Sequence, residues 1–477
     1  MAAGTLRGGK LHIEPVYSFP NKPLAINNNL YWSLGTIYQQ LLTGLKRAGR
    51  KFNRLATLGL DTFSNDFAFV DQQGTLLSPI HCYRDERSIR SAQFTYGRIS
   101  PERLHALTGN QNAPFNTVMQ LGALVQEKKQ YYWSPGNKLL LLPDLLGYTL
   151  TGVMRAEYSI AAVTQMFDPE AGVWLDEVLE ALGIPQDVFP ECIMPGEILG
   201  EVKEELVEDV GIQGLQVASV CSHDTASAVM ALPSNEESTA FISSGTWSIV
   251  GTEVERPIIN GETFAGNFAN EYGYGKRARL SKNVMGLWIL QEWKRELEAE
   301  GASYDYGELV ELASKAAPFR SLIDPNAQTF YTPGNMGQKI RDFCAQTDQP
   351  QPEAPGEYVR CILESLALRY RWALEKIQAI TGKEIQCIHI LGGGSNNKLL
   401  NQFTADACGL VVKAGPSEAT IYGNLLMQLL AVKRIGSLEE GRELVAASVQ
   451  PREFTPKEQE AWDKQYTRFL DYLVDQG

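Results

Sequence analysis

Hydrophobic and polar positions in the first half of the chain fall into short blocks that predict alternating strands and helices. Residues 10–17 alternate with a period of two, which is typical of a half-buried strand, whereas the apolar positions of 34–45 have helical spacing. The other elements predicted in this half are strands at 55–60, 67–70 and 215–220, a helix-rich region at 101–182 and a helix at 226–232.

A polar stretch at 232–238, which contains Pro233, is the best candidate for a linker. Beyond it the pattern predicts a long helix at 357–381, with Gly382 as its C-cap. Strands that alternate with helices on both sides of a linker indicate an α/β protein of two domains, each around a mainly parallel sheet. The other elements predicted here are strands at 239–243, 247–252, 388–391 and 410–413 and helices at 398–407, 419–434 and 459–474.

Composition narrows the class of protein. The 477 residues favour about two or three domains. A net charge of -13 argues against a nucleic-acid partner or an anionic membrane surface, because both require clustered Lys and Arg. The sequence has no apolar stretch of about 18 residues, so we expect no membrane span. Its N-terminal residues lack the continuous apolar region of a secretory signal, so we expect a cytoplasmic location.

The cysteines indicate a reducing compartment. Seven in 477 residues are sparse and odd in number, which argues against a disulfide scaffold. Whether Cys344 and Cys361 meet in space stays open at this point. A zinc site is not expected, because Cys221 and His223 lack a second pair of ligands.

Three predicted strands end in unusual polar or glycine-rich sequence, at 221–225, 243–248 and 392–397. Ligands of α/β domains bind at the carboxyl ends of strands. We therefore expect one cleft between the two domains to collect all three segments.

The glycine-rich segment Gly392-Gly393-Gly394 follows an apolar strand and precedes the helix predicted at 398–407. Glycine has no Cβ, so the backbone can approach a ligand closely, and a helix N-terminus offers free N–H groups to an anion. The pattern predicts a nucleotide site. A tight strand-to-helix turn without a ligand is the alternative.

Five further residues are candidates for chemistry. Asp224 would serve as a general base or, alternatively, as a helix N-cap, and the neighbouring His223 would bind a substrate hydroxyl or be structural. Thr246 would donate to phosphate oxygens from the 243–248 segment, unless that segment is an ordinary Ser/Thr turn. Asn283 and Gln291 are eight residues apart, about two helical turns, so one helix face would present both amides.

Six separated motifs in this order resemble the FGGY carbohydrate kinases, and among them the kinases of L-rhamnulose. The resemblance extends from about Leu6 to about Arg434. The motifs are His223-Asp224-Thr225-Ala226-Ser227-Ala228-Val229, Ser243-Ser244-Gly245-Thr246-Trp247-Ser248, Lys282-Asn283-Val284-Met285-Gly286-Leu287-Trp288, Gly392-Gly393-Gly394, Asp406-Ala407-Cys408-Gly409 and Ala414-Gly415-Pro416-Ser417-Glu418-Ala419.

The resemblance implies two actin/hexokinase-like (ribonuclease H-like) domains that flank a cleft. It implies a sugar-binding domain at 1–233, a nucleotide-binding domain at 239–436 and a helical tail at 437–477. The reaction it implies is transfer of the γ-phosphoryl group of ATP, with Mg²⁺, to the 1-hydroxyl of L-rhamnulose. Phosphoryl transfer needs positioning, charge stabilisation and exclusion of water, which two closing domains supply.

The resemblance also implies roles for individual residues, although it identifies no metal ligand. Asp224 corresponds to the catalytic base. The implied sugar contacts are His223, Thr225, Asn283 and the residue at position 64, and the implied ATP contacts are Thr246, Gln291 and Gly393.

Two departures from the family pattern leave alternatives open. The family's opening strand and its Asp-Leu-Gly-Ala-Ser-Ser-Gly-Arg turn precede the segment that corresponds to 3–6, and Met1 stands at that turn's end. We expect a true start upstream; the alternative is a truncated, sugar-binding pseudokinase. The family's Asp-Thr-Trp-Gly-Val-Asp is Asp-Thr-Phe-Ser-Asn-Asp at 61–66, with Ser64 replacing glycine. Another ketose, such as L-fuculose, therefore remains an alternative substrate, and an actin-fold scaffold is a third class.

Two loops match the family and are expected to frame the sugar pocket, with a purely structural role as the alternative. They are Tyr83-Arg84-Asp85 and Pro114-Phe115-Asn116-Thr117.

Overall fold

The computed structural model describes residues 1–52 and 54–474. The first half, up to residue 232, contains small sheets and nine α-helices among these described residues. Its strands are β1 (Ala2–Arg7), β2 (Lys10–Pro15), β3 (Leu24–Ile26), β4 (Asn29–Trp32), β5 (Thr57–Gly59), β6 (Phe67–Val70), β7 (Ile80–His81), β8 (Lys138–Leu141), β9 (Ala156–Glu157), β10 (Phe167–Asp168), β11 (Val173–Trp174), β12 (Cys192–Ile193), β13 (Ile198–Glu201) and β14 (Gln216–Ala218). Its helices are α1 (Leu34–Lys51), α2 (Glu86–Tyr96), α3 (Pro101–Thr108), α4 (Thr117–Gln126), α5 (Leu142–Thr151), α6 (Tyr158–Ala161), α7 (Asp176–Leu182), α8 (Glu204–Val210) and α9 (Asp224–Met230).

The second half is built on one seven-stranded sheet, in the order β17-β18-β16-β15-β19-β20-β21. Its strands are β15 (Thr239–Ser244), β16 (Trp247–Val254), β17 (Ala269–Tyr272), β18 (Ala278–Met285), β19 (Cys387–Leu391), β20 (Val411–Ala414) and β21 (Arg452–Phe454). Its helices are α10 (Gly261–Ala265), α11 (Trp288–Ala299), α12 (Tyr306–Lys315), α13 (Met336–Gln346), α14 (Pro355–Thr381), α15 (Lys398–Cys408), α16 (Ala419–Ala431), α17 (Leu438–Ser448) and α18 (Gln459–Leu470).

The direction of the strands corrects one prediction. In the seven-stranded sheet only the β15–β19 and β19–β20 pairs are parallel, and the other neighbours are antiparallel. The residues Gly245 and Thr246 alone separate β15 from β16, which is too short for the crossover that parallel neighbours need. The expected mainly parallel sheet is therefore wrong for this half.

Helix α14 supplies much of the core of the second half. It is 27 residues long, has Pro355 in its first turn and ends at Thr381. Gly382, with a φ of 67°, is the predicted C-cap. Its apolar face, which includes Leu366 and Tyr370, is fully buried. The strands that carry the candidate residues are thus fixed from behind by a rigid element.

The end of the segment predicted as a helical tail packs into the core of the second half. Strand β21 pairs antiparallel with β20 at the sheet edge. In α18, Trp462 and Phe469 are buried, and Trp462 packs against the rings of Phe319 and Phe403. The described part of the segment therefore adds a strand as well as helices.

In the first half, β5 lies parallel to β14, while β1 and β2 form a separate two-stranded sheet. Helix α16 of the second half lies against β5, where Gln428 hydrogen-bonds with Thr57 and Asn424 donates to Asp61. Gly423 allows α16 to approach α9, since a Cβ there would lie 1.7 Å from the carbonyl oxygen of Ser227. These contacts join the two halves beneath the cleft.

The structure bears on the predictions about the cysteines and about a membrane span. The seven cysteines are free thiols, and the buried thiols of Cys344 and Cys361 hydrogen-bond to each other, which lowers the pKa of Cys344. No helix within 1–52 or 54–474 is long and apolar enough to cross a membrane.

Candidate active site

A cavity of about 480 Å³ lies between the two halves. Its wall includes His223, Asp224 and Thr225 from the first half, and Thr246 and Gly393 from the second. The prediction that three polar strand ends share one cleft is thus confirmed. Asp224 and the glycine turn, which are 169 residues apart in sequence, border the same space.

Asp224 is the first residue of α9, and His223 occupies the N-cap position. The Asp224 carboxylate accepts a hydrogen bond from the N–H of Thr225 at 2.6 Å, and its side chain is 48% exposed. Its own N–H donates to the carbonyl of Thr62 at 3.0 Å. The N-cap explanation for Asp224 is therefore wrong, and the carboxylate faces a cleft from a fixed backbone.

His223 is buried and incompletely hydrogen-bonded. Its Nε2 lies 3.7 Å from Oδ1 of Asp224, whereas its Nδ1 is buried and has no hydrogen-bond partner among the described residues. Buried polar groups are almost always satisfied by protein or water. The free nitrogen therefore indicates a place for a polar ligand.

A buried carboxyl fixes the backbone around His223. Glu157 accepts hydrogen bonds from the N–H groups of Ser159 and Ser222, at 2.8 and 3.0 Å. Burial raises the pKa of Glu157 to about 7, although these hydrogen bonds lower it. The strand end that carries His223 is thus held by groups outside the cavity.

Asn283 and Gln291 do not lie on one helix, so the predicted shared helix face is wrong. Asn283 is in strand β18 and lines the cavity, and its Oδ1 is buried without a partner among the described residues. Gln291 is in α11, behind the cavity wall, where its Oε1 accepts a hydrogen bond from the hydroxyl of Thr246 at 3.2 Å. A spacing of eight residues suits a helix, but here a turn at Gly286 separates the two elements.

The segment that contains Thr246 is the hairpin turn between β15 and β16. The N–H of Gly245 donates to the carbonyl of Trp247 at 2.9 Å. The N–H groups of Gly286 and Trp288 donate to the carbonyl of Thr246, at 3.1 and 3.2 Å. The start of α11 therefore holds the turn rigidly against the cavity.

The glycine turn differs in detail from the predicted strand-to-helix turn. Gly392 has φ 80°, and a 3₁₀ turn from Gly393 to Asn396 separates β19 from α15. A Cβ on Gly394 would lie 2.0 Å from Oγ of Ser244, whereas a Cβ on Gly393 would enter open space. Gly394 is thus required for packing, and Gly393 leaves room for a ligand.

Ser64 and a set of aromatic rings complete the first-half side of the cavity. The Ser64 hydroxyl accepts a hydrogen bond from Nδ2 of Asn65 at 2.9 Å. The expected framing loops contribute Tyr83 and Phe115, and the ring of Phe115 lies 6.2 Å from that of Trp247 across the cleft. The contact between Phe115 and Trp247 was missed, since it depends on how the halves meet.

Asp61 is a second carboxyl close to Asp224. Burial raises its pKa to about 7, the hydrogen bond from Asn424 opposes this shift, and the charge of Asp224 adds to it. Among the described residues, no group of three or more His, Cys, Asp or Glu could hold a metal ion. The protein part of a magnesium site would thus be limited to one or two carboxylates.

Two family profiles together match most of the chain. The N-terminal domain of the FGGY family of carbohydrate kinases matches residues 17–231, and the C-terminal domain of that family matches residues 240–432. The chain belongs to the FGGY family of carbohydrate kinases. The class of enzyme inferred from the motifs, a sugar kinase, is thereby confirmed.

The chain is also similar to individual proteins over nearly its full length. The chain is 38% identical over 466 residues to a rhamnulokinase of Bacteroides thetaiotaomicron, covering 98% of this chain and 95% of that protein. It is 36% identical over 455 residues to a rhamnulokinase of Bacillus subtilis, covering 95% and 92%. The similarity therefore extends over both halves of the chain.

Solved structures confirm the predicted two-domain actin/hexokinase-like fold. Gluconate kinase from Lactobacillus acidophilus superposes with a TM-score of 0.79 at 16% identity, covering 97% of this chain and 93% of that one. Plasmodium falciparum glycerol kinase with ADP superposes with a TM-score of 0.77 at 17% identity, covering 97% and 92%.

Proposed function

We propose that this FGGY kinase transfers the γ-phosphoryl group of ATP to the 1-hydroxyl of L-rhamnulose, giving L-rhamnulose 1-phosphate and ADP in L-rhamnose catabolism. The observation that carries the proposal is that Asp224 and Gly393 border one cavity of about 480 Å³. The similarity of the chain to rhamnulokinases over nearly its full length supports this choice of sugar.

In this proposal Asp224 is the general base. Its carboxylate takes the proton of the 1-hydroxyl while the hydroxyl oxygen bonds to the γ-phosphorus and the bond to the leaving ADP oxygen breaks. A positioned base of this kind contributes about 10²–10⁴-fold to the rate. The half-exposed carboxylate at the start of a fixed helix suits this role.

The sugar contacts in this proposal are His223, Thr225, Asn283 and Ser64. His223 and Asn283 each bring a buried polar atom without a partner among the described residues, which a sugar hydroxyl would satisfy. The Ser64 hydroxyl, fixed by Asn65, adds a further polar group where many family members have glycine.

ATP would bind against the opposite wall. Gly393 has open space where a Cβ would stand, and the Thr246 hydroxyl, braced by Gln291, faces the same cavity. Both fit a phosphate chain. We also propose Mg²⁺, which in kinases is held mostly by phosphates and water with one or two carboxylates, and which would neutralise the charge of the phosphates. A cytoplasmic location is proposed on the basis of the seven free thiols.

The test is ADP release in a coupled assay with a panel of ketoses. L-Rhamnulose should give the highest kcat/KM, because discrimination between substrates is expressed in that ratio. A higher ratio for L-fuculose would move the assignment to that sugar. Binding of L-rhamnulose by calorimetry without ADP release would contradict the kinase assignment itself.

A further inference from the structure

Glu271 is a buried carboxylate of the cavity wall that the proposed reaction does not yet use. It lies in β17 directly opposite Arg279 of β18, and both are almost fully buried, at 3% and 1% exposure. Its Oε2 accepts hydrogen bonds from Nε and Nη2 of Arg279, at 3.1 and 2.7 Å. Arg279 also donates to the carbonyl of Tyr272 at 3.1 Å.

The second carboxylate oxygen, Oε1 of Glu271, distinguishes the Glu271–Arg279 pair from an ordinary structural ion pair. Both hydrogen bonds that Arg279 donates to the Glu271 carboxylate end on Oε2, so the ion pair leaves Oε1 unused. The Glu253–Arg442 pair in the same half is different, because both oxygens of Glu253 accept from the Arg442 guanidinium, at 2.8 Å each. Glu271 lines the cavity and Glu253 does not.

The charges around Glu271 keep its carboxyl group ionised, so that it accepts hydrogen bonds. Burial acts to raise its pKa, but the charges of Arg279 and His223 outweigh burial, and the pKa lies below the usual range for glutamate. An ionised carboxylate can only accept hydrogen bonds. Its natural partner in this cavity is therefore a hydroxyl or another donor of the ligand.

The position of Glu271 in the cavity indicates which part of the ligand it would contact. Glu271, His223 and Asn283 line the same cavity, and His223 and Asn283 each carry a buried polar atom that lacks a partner among the described residues. The sugar site proposed above contains these two residues. A polyhydroxylated substrate has several adjacent donors that such a set can bind together.

We infer that Oε1 of Glu271 accepts a hydrogen bond from a sugar hydroxyl other than the reacting 1-hydroxyl, and that Glu271 thereby contributes to the choice of ketose. The inference rests on the proposed function. Hydrogen bonds to a charged group are among the stronger ones, and a site built to bind a hydroxyl rejects analogues that lack it.

The experiment compares Glu271→Gln with Glu253→Gln, which removes the same charge from a similar arginine pair outside the cavity. We expect Glu271→Gln to lower kcat/KM for L-rhamnulose about 10- to 100-fold with an unchanged KM for ATP. Glu253→Gln should change neither constant more than about threefold. Equal losses in the two variants would overturn the inference, since they would reflect the ion pairs alone.

A second measurement identifies the contact itself. Wild type and Glu271→Gln are assayed on L-rhamnulose analogues that each lack one hydroxyl, at C3, C4 or C5. For one analogue the wild type should lose about 10- to 100-fold and the variant about threefold or less, which is the non-additivity expected of interacting groups. Additive losses for all three analogues would rule out the contact.

The outcomes remain interpretable if a variant or the substrate fails. If Glu271→Gln is not recovered folded, Glu271→Asp keeps the charge for Arg279 but shortens the side chain, and the same analogue pattern is expected. If the wild type does not turn over L-rhamnulose, the proposed function has failed. Calorimetric binding of that sugar to wild type and variant then tests Glu271 separately, and equal affinities would refute it.

Discussion

The cleft is lined by two groups of residues that differ in what they offer a ligand. The side-chain group (His223, Glu271 and Asn283) presents polar atoms that are buried within the wall. The glycine group (Gly245 and Gly393) presents backbone and space. In the proposed function the two groups serve different substrates, since sugar hydroxyls need directed partners whereas a phosphate chain needs close approach to backbone.

Asp224 belongs to neither group and is the proposed general base, so its substitution should have the largest effect. Asp224→Asn should lower kcat by about 10²–10⁴-fold, because the amide cannot accept the hydroxyl proton. The KM for ATP should stay close to that of the wild type. Steady-state kinetics check this, with Asp209→Asn as the control, a carboxylate of similar exposure (47% against 48%) on the surface. A near-normal kcat in Asp224→Asn would contradict its role as the base.

Glu157, which holds the backbone around His223, should make the stability of the protein depend on pH. Burial raises the pKa of Glu157 to about 7 in the folded protein, against about 4.3 when unfolded. The raised pKa favours the protonated form, so the stability that Glu157 contributes is complete below about pH 4 and is lost as the pH rises through about 7.

Glu157→Gln, which is neutral at every pH, should therefore reduce the fall in unfolding free energy between pH 4 and 8 by on the order of 3 kcal/mol. Urea denaturation across this range measures it. Glu170→Gln, at an exposed carboxylate, should leave the slope unchanged. An unchanged slope in Glu157→Gln would mean that this carboxyl is ionised in the folded protein throughout the range.

Gly393 of the glycine group and its neighbour Gly394 should respond differently to the same substitution. Gly394→Ala should lower thermal stability by about 1–3 kcal/mol, because its Cβ would lie 2.0 Å from Oγ of Ser244. Gly393→Ala should leave the melting temperature unchanged and raise the KM for ATP, because its Cβ would enter the cleft. Thermal melts and ATP titrations of both variants give the answer, and an unaffected KM in Gly393→Ala would remove Gly393 from the nucleotide site.

The smallest predicted effect distinguishes Asn283 from Gln291. Asn283→Ala should raise the KM for the sugar about fivefold, the value of one neutral hydrogen bond, and leave the KM for ATP unchanged. Gln291→Ala removes the brace of Thr246 and should raise the KM for ATP by a similar factor with little effect on the sugar. If both variants changed the same constant, the division into two groups would be wrong.

Local sequence predicted the positions of Asp224 and Gly393, because each begins a helical turn a few residues after a strand. The same approach failed for Asn283 and Gln291, since a spacing of eight fits a helix but here spans a strand, a turn and a helix. Glu271 was also missed. Its partner Arg279 is only eight residues away, but the opposition depends on the antiparallel register of β17 and β18.

The direction of the strands could not be read from hydrophobic blocks alone. An apolar run has the same composition in parallel and antiparallel neighbours, and only the short turn at Gly245-Thr246 excludes a crossover. The contact of Phe115 with Trp247 joins residues from the two halves, so no local pattern encodes it. Motif order, in contrast, was sufficient to identify the FGGY family.

A crystal structure of the protein with L-rhamnulose and a non-hydrolysable ATP analogue tests the central claim most directly. The account predicts the 1-hydroxyl within hydrogen-bond distance of the Asp224 carboxylate and the phosphate chain against Gly393. A sugar bound with its 1-hydroxyl away from Asp224, or phosphates bound elsewhere, would contradict it.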